Sequence, residues 1–102
     1  MADRTPLTPE QIEAALARLP GWTCEDDRLR KSFVFKDFRE AVGFVLRLAF
    51  SAEQLEHHPE IHCVYNRVDV ALCTHDAGDR VTGMDVTLAR AIEAFNWLKA
   101  EG

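Results

Sequence analysis

The sequence predicts an α+β fold in which a small sheet carries its helices on one face. Two observations lead there. Runs with apolar residues at helical spacing are interleaved with short runs of period two, giving the order helix, two strands, helix, strand with a possible further short strand, helix. Consecutive strand-like runs are joined by turn-forming residues, which favours antiparallel pairing of neighbours over crossover connections.

At 102 residues and 11.6 kDa the chain is expected to form one domain, residues 1–102, with no linker or internal repeat. A domain of this size buries only ~60 to 70% of its unfolded surface, so association with further copies would add to a modest core. The composition, 47% hydrophobic and 28% charged, is that of an ordinary globular protein. A formal net charge of −5 argues against direct nucleic-acid binding, because neutralising phosphates needs a basic face. The N-terminal residues lack a basic start with an apolar core, and no apolar run approaches the ~20 residues of a membrane span. A cytoplasmic location is expected, with no membrane partner. Cys24, Cys63 and Cys73 are an odd number without disulfide-framework spacing, as suits reduced thiols.

The first helix starts at Thr8-Pro9-Glu10-Gln11, with threonine as N-cap, proline at the first helical position and glutamine closing a capping box. Its stripe is Ile12, Ala15, Leu16 and Leu19, ended by Pro20-Gly21. Trp22-Thr23-Cys24 and Leu29 to Phe35 read as a hairpin around Asp26-Asp27. Asp37 and Glu40 then mark a capping-box-like start for a helix from Phe38 to about Glu56 or His57. Its apolar residues cover more than half the circumference, which is too wide for one buried face and predicts packing against another subunit. From Val64 to Thr74, Val64, Val68, Val70 and Leu72 alternate with Tyr65, Arg67, Asp69 and Cys73, as in a strand with one buried face. Asp76-Ala77-Gly78-Asp79 is a turn, and Thr82 caps a last helix with the stripe Met84, Leu88, Ala91, Phe95 and Leu98. Trp97 is expected in the core.

All four histidines fall within the 19 positions His57 to His75. Pro59 disfavours helical backbone in the residue before it, so the helix should end at His57-His58 and splay two imidazoles there. His75 is expected at the end of the following strand. Taken singly, each is most simply a surface residue; three titratable rings converging on one cleft suit proton transfer near neutral pH. Zinc is the sharp alternative, since His57, His58, His62, Cys63, Cys73 and His75 are permissible ligands. The spacing is poor, with no CxxC or HExxH, so no metal is expected. Trp22 is by type a core residue but, just after Pro20-Gly21, could instead lie at the cleft edge; Glu53, one turn before His57, is most simply a solvated charge or weak i,i+4 partner that would orient a histidine if its face lines the cleft. Asp85 is a favourable charge in the first turn of the last helix, within possible reach of a ligand or His75.

The stretch EQLEHHPEIHCVYNRVDVALCTH, with FKDFREAVGF before it and TGMDVTLA after it, resembles the pterin-4a-carbinolamine dehydratase family over nearly the whole chain. The resemblance implies a four-stranded antiparallel sheet with three helices packed on one face, assembled as a homodimer that in some members pairs again through the long helix. It implies dehydration of 4a-hydroxytetrahydropterin to the quinonoid dihydropterin, serving aromatic amino acid hydroxylases, with no metal or organic cofactor. By matching positions, the catalytic residues would be His57, His58 and His75, with His58 the principal acid/base. Pro59, Thr74, Asp76 and Ala77 would contribute to the substrate pocket, supported by Trp22, Glu53 and Asp85. His62 has no matched role. The chain departs from the family pattern after His75, where Gly78-Asp79-Arg80-Val81-Thr82 is one residue longer with Arg80 in place of a glycine, a change expected to shift Asp85 relative to His75. Some members also act as dimerisation partners of transcription factors, which makes a protein-binding module the alternative function.

Overall fold

The computed structural model describes residues 5–96. In order they form α1 (Pro9–Leu16), β1 (Thr23–Glu25), β2 (Arg28–Val34), α2 (Phe38–Leu55), β3 (Glu60–Val64), β4 (Arg67–Leu72), a 3-10 turn (His75–Ala77) and α3 (Gly83–Phe95). The strands make one antiparallel sheet in the order β1-β2-β4-β3. The expectations for Trp97 and Leu98 lie outside the described residues.

The helix starts follow from local chemistry. The Thr8 hydroxyl accepts from Gln11 N while Gln11 Oε1 accepts from Thr8 N, a complete capping box. Helix α1 ends at Leu16, before the expected Leu19; three-residue hydrogen-bonded turns carry Arg18 and Leu19 onward until Pro20 stops the run. Leu19 is nevertheless buried. At α2, Asp37 accepts from Glu40 N, but Glu40 reaches back to Lys36 N, one residue before the cap, so the reciprocal box is not formed.

The β1–β2 hairpin turns on Asp26 and Asp27, both with left-handed backbone (φ 54 and 56). Left-handed backbone at both central residues matches strand twist, and aspartate tolerates it better than most residues. The expected single strand from Val64 to Thr74 is instead half of a second hairpin. Tyr65 adopts φ 52, and the chain reverses at Tyr65-Asn66 so that Val64 pairs with Arg67. The fourth strand therefore precedes that turn, at Glu60–Val64. Asn66 pins the turn to the sheet, accepting from Phe35 N and donating to Phe35 O.

Alternation sends Leu29, Phe33, Val68, Val70 and Leu72 to the helix side. There Phe44 of α2 packs 4.6 Å from Phe33, 4.9 Å from Phe35 and 5.5 Å from Phe95, ring centre to ring centre. The opposite face is polar, with Ser32 donating to Asp69 and Arg28 paired with Glu60. Among the described residues, no helix is long and apolar enough to cross a membrane.

Candidate active site

Helix α2 ends at Leu55, with Glu56 alone between it and the histidine pair. Glu56 turns left-handed (φ 53), its N–H bonds back to Ala52 O and Glu53 O, and His57 N also reaches Ala52 O. That reversal sends His57 inward and His58 outward: His57 is 8% exposed, whereas the His58 side chain is 68% exposed. It also changes which histidine Glu53 meets. A continuing helix would place Glu53 beside His57, four residues on. With the turn at Glu56, Glu53 Oε2 lies 2.7 Å from His58 Nε2 instead.

The inner histidine is held by a buried network. Asp85, fully buried in the first turn of α3, places Oδ1 2.5 Å from His57 Nε2. Its Oδ2 accepts from Thr82 N and Thr74 Oγ1, each at 2.9 Å. A carboxylate only accepts, and this fixes every proton in the chain. Thr74 spends its hydroxyl hydrogen on Asp85, so at the 2.7 Å contact Thr82 donates to Thr74, and Met84 N donates to Thr82. His57 therefore donates from Nε2, and in its neutral form Nδ1 is the nitrogen that accepts a proton. Asp85 thus reaches His57 and not His75.

His75 opens the 3-10 turn after β4, where Thr74 N bonds to Arg80 O and Thr74 O accepts from Ala77 N and Asp79 N. This folded loop brings Asp79 Oδ1 to 2.6 Å from His75 Nδ1. The loop therefore provides a carboxylate for His75, a partner that sequence reading missed although the spacing of four residues was visible.

A cavity of about 300 Å³ is lined by Glu56, His57, His58, Pro59, Glu60 and Thr74, and closed by His75, Asp76 and Met84. The structure thus brings His57, His58, His75, Pro59, Thr74 and Asp76 together. Asp85 stands behind the wall, Glu53 buttresses His58 from outside, and Ala77 is in the turn but not in the lining. Trp22 is not brought here. It is 5% exposed and donates to Glu93 Oε2, its ring edge-on to Phe33, because Lys31 and Glu93 build a polar clasp over that end of the core. His62 faces the polar side of the sheet with Arg30, Ser32, Arg67 and Asp69. Glu60, Glu56 and Met84 were not anticipated; Glu60 follows His57-His58-Pro59 directly, and that adjacency was the available signal. Cys73, behind His75, has its thiol pKa raised by burial, with nearby Glu60, Asp79 and Asp85 adding to the rise and Arg28 opposing it.

Residues 5–95 match the family described as pterin 4 alpha carbinolamine dehydratase. A relative from Opitutus terrae is 51% identical over 94 residues, covering 92% of this chain and 97% of its own. One from Thermosynechococcus vestitus is 50% identical over 92 residues, with 90% and 94% covered. Both carry pterin-4-alpha-carbinolamine dehydratase as a provisional name. A crystal structure from Brucella melitensis, described as a transcriptional coactivator/pterin dehydratase, superposes with a TM-score of 0.83 at 43% identity, covering 88% of this chain and 97% of that one. With the fold, the cavity and matches of this extent in agreement, the chain belongs to the pterin 4 alpha carbinolamine dehydratase family.

Proposed function

We propose that this protein dehydrates a 4a-hydroxytetrahydropterin to the quinonoid dihydropterin by histidine acid/base catalysis, using the chain as one domain. The observation that carries this reading is the arrangement of three imidazoles. His57, His58 and His75 surround one cavity, and each has a ring nitrogen against a carboxylate, from Asp85, Glu53 and Asp79 respectively. Such partners set the tautomer and the ring orientation, leaving the other nitrogen for the substrate.

The chemistry asks for little more. The C4a–O bond breaks as the hydroxyl takes a proton and leaves as water, the N5–H proton is removed, and its electrons form the C4a=N5 double bond. Acid/base assistance of this kind contributes typically ~10²–10⁴-fold in rate. His58 is the principal proton carrier, since its exposure lets it exchange with solvent and Glu53 holds its Nε2, leaving Nδ1 for the substrate. His57, with Nδ1 free, and His75 share the proton work and orient the ring. No residue in this scheme requires a metal or organic cofactor. Replacing His58 by alanine should slow the loss of purified 4a-hydroxytetrahydropterin in a stopped-flow assay by at least ~10²-fold. Full activity in that variant would refute the assignment.

The same reading includes recycling of a tetrahydropterin used by an aromatic amino acid hydroxylase, in the cytoplasm. Free Cys24, Cys63 and Cys73 support a reducing compartment. It also includes self-association as a homodimer or homotetramer. Phe38, Val42, Leu46 and Phe50 recur every four residues along α2 and all are exposed, Phe50 by 74%. Leu46→Glu with Phe50→Glu should lower the molar mass by light scattering; an unchanged mass would refute this role for the ridge. The description of the Brucella protein as a coactivator favours a second reading, a protein-binding module on the same fold. A partner retained by a dehydratase-inactive His58→Ala variant in a pull-down would support it.

A further inference from the structure

Six histidine and cysteine side chains were conceivable metal ligands by residue type, yet the fold scatters most of them. His57 is committed to Asp85, His62 lies on the open sheet face, and Cys63 packs toward the core. A different trio is brought together: Glu60 at the start of β3, Cys73 just after β4, and His75 opening the 3-10 turn. One ligand atom from each lies within 4.8 Å of the others.

We propose that Glu60, Cys73 and His75 form a binding site for a thiolate-seeking divalent cation, with zinc the best match. A sulfur, an imidazole nitrogen and a carboxylate oxygen are the donors zinc takes, and three protein ligands leave its fourth position open to water. Ideal tetrahedral bonds of ~2.3 Å to sulfur and ~2.0–2.2 Å to nitrogen or oxygen place donors roughly 3.3–3.7 Å apart, so each gap closes by ~1–1.5 Å at most. Glu60 and His75 are exposed and have the freedom to make that movement. The surrounding contacts favour it. Asp79 holds His75 Nδ1, which leaves Nε2 to coordinate, in the carboxylate–histidine arrangement that orients metal-bound imidazoles. Arg28 Nε occupies Oε2 of Glu60 and leaves Oε1 available. Binding would exchange the thiol proton of Cys73 for the metal.

Glu60 and His75 also line the cavity beside His57 and His58. An ion bound there therefore competes with whatever occupies that cavity, and if the dehydratase reading holds, zinc inhibits the enzyme.

Titration of the full chain with cobalt(II) tests the site without reference to turnover. One equivalent should produce a thiolate-to-cobalt charge-transfer band, and zinc should displace it. Cys73→Ser should abolish the band, while Cys24→Ser and Cys63→Ser keep it. Glu60→Gln, at an exposed position that does not threaten folding, should weaken zinc binding at least ~10-fold against a chromophoric chelator, and Asp79→Asn by ~10–100-fold. Absence of a thiolate band in the wild type, or its survival in Cys73→Ser, overturns the proposal, as does zinc affinity indifferent to Glu60→Gln. In the activity assay, the zinc concentration for half inhibition should rise with the same substitutions. A protein without dehydratase activity refutes the catalytic reading alone, because the cobalt spectrum still decides the metal site.

Discussion

Replacing Asp85 by asparagine changes one atom in the buried network and should reverse the chemistry of His57. In the native protein Oδ2 serves Thr82 N and Thr74 Oγ1, and Oδ1 serves His57 Nε2. Asparagine has one acceptor oxygen. Thr82 N is a backbone donor fixed by the helix start, so the oxygen stays there and the amide NH2 turns toward His57. Two donors would then face each other unless the imidazole moves its hydrogen from Nε2 to Nδ1. The nitrogen left for the substrate becomes a donor and can no longer accept a proton.

The three bonds also lose charge assistance, roughly 1 kcal/mol each, and burying a neutral amide in place of a charge offsets part of this. A net destabilisation of about 1–3 kcal/mol follows, a fall in Tm of roughly 4–8 °C per kcal/mol for a domain of this size. Asp85→Asn should therefore remain folded at 25 °C yet turn over at least ~10²-fold more slowly, and the analogous change behind a hydrolase histidine reduces turnover ~10⁴-fold. Stopped-flow decay of the 4a-hydroxypterin measures the rate, and long-range ¹⁵N–¹H NMR of His57 reads the tautomer directly. A folded Asp85→Asn protein with native turnover, or one in which His57 still carries its hydrogen on Nε2, would refute the reasoning.

Three further outcomes follow from the scaffold. Phe44→Ala removes a fully buried ring shared by Phe33, Phe35 and Phe95 and should lower stability by ~3–5 kcal/mol in urea unfolding. Glu56→Gly relieves left-handed backbone at the end of α2 and should raise the urea midpoint by up to ~1 kcal/mol equivalent; a loss of stability would show that the Glu56 side chain matters more than its φ of 53. Asp37 accepts the Glu40 N–H, which with Arg39 and Lys36 holds its carboxyl below the usual 3.8 against a weaker opposing effect of burial. Its contribution is therefore complete above pH ~4 and is lost as pH falls through the lower folded value. Asp37→Asn should show less loss of stability than wild type between pH 5 and pH 2 in thermal unfolding.

The helix caps were readable because a capping residue and its partner are three positions apart and need no tertiary contact: Thr8 with Gln11, and Thr82 before α3. The first hairpin was readable for a similar reason, since two aspartates announce its turn. The second was hidden, because Tyr65 is a poor advertisement for left-handed backbone and Val64, Val68, Val70 and Leu72 keep period-two spacing across Asn66, the one polar interruption. Pairing between β3 and β4 decides that turn, and pairing is not a local property.

The same division runs through the site. His57, His58 and His75 were readable in the chain as a candidate set because the family motif spans them, although the helix ends at left-handed Glu56 and not at the proline. Which carboxylate each would meet was not. Glu53 goes to His58 because one left-handed residue, Glu56, rotates the chain end away from helical spacing. Asp85 goes to His57 because packing α3 against α2 buries both, and a buried carboxylate takes the donors that surround it. Trp22 could be read from the chain either as core or as cleft edge beside its turn; the large apolar ring gains more by entering the core, and Glu93 satisfies its N–H there. The sequence by itself determined the three helices with their N-caps at Thr8, Asp37 and Thr82 and the first hairpin, all encoded within a few residues of chain, and it marked the three histidines as candidates. Only the tertiary structure decided the partners of those histidines and the meeting of Glu60, Cys73 and His75, because these depend on which strand ends and helix ends the sheet order brings together.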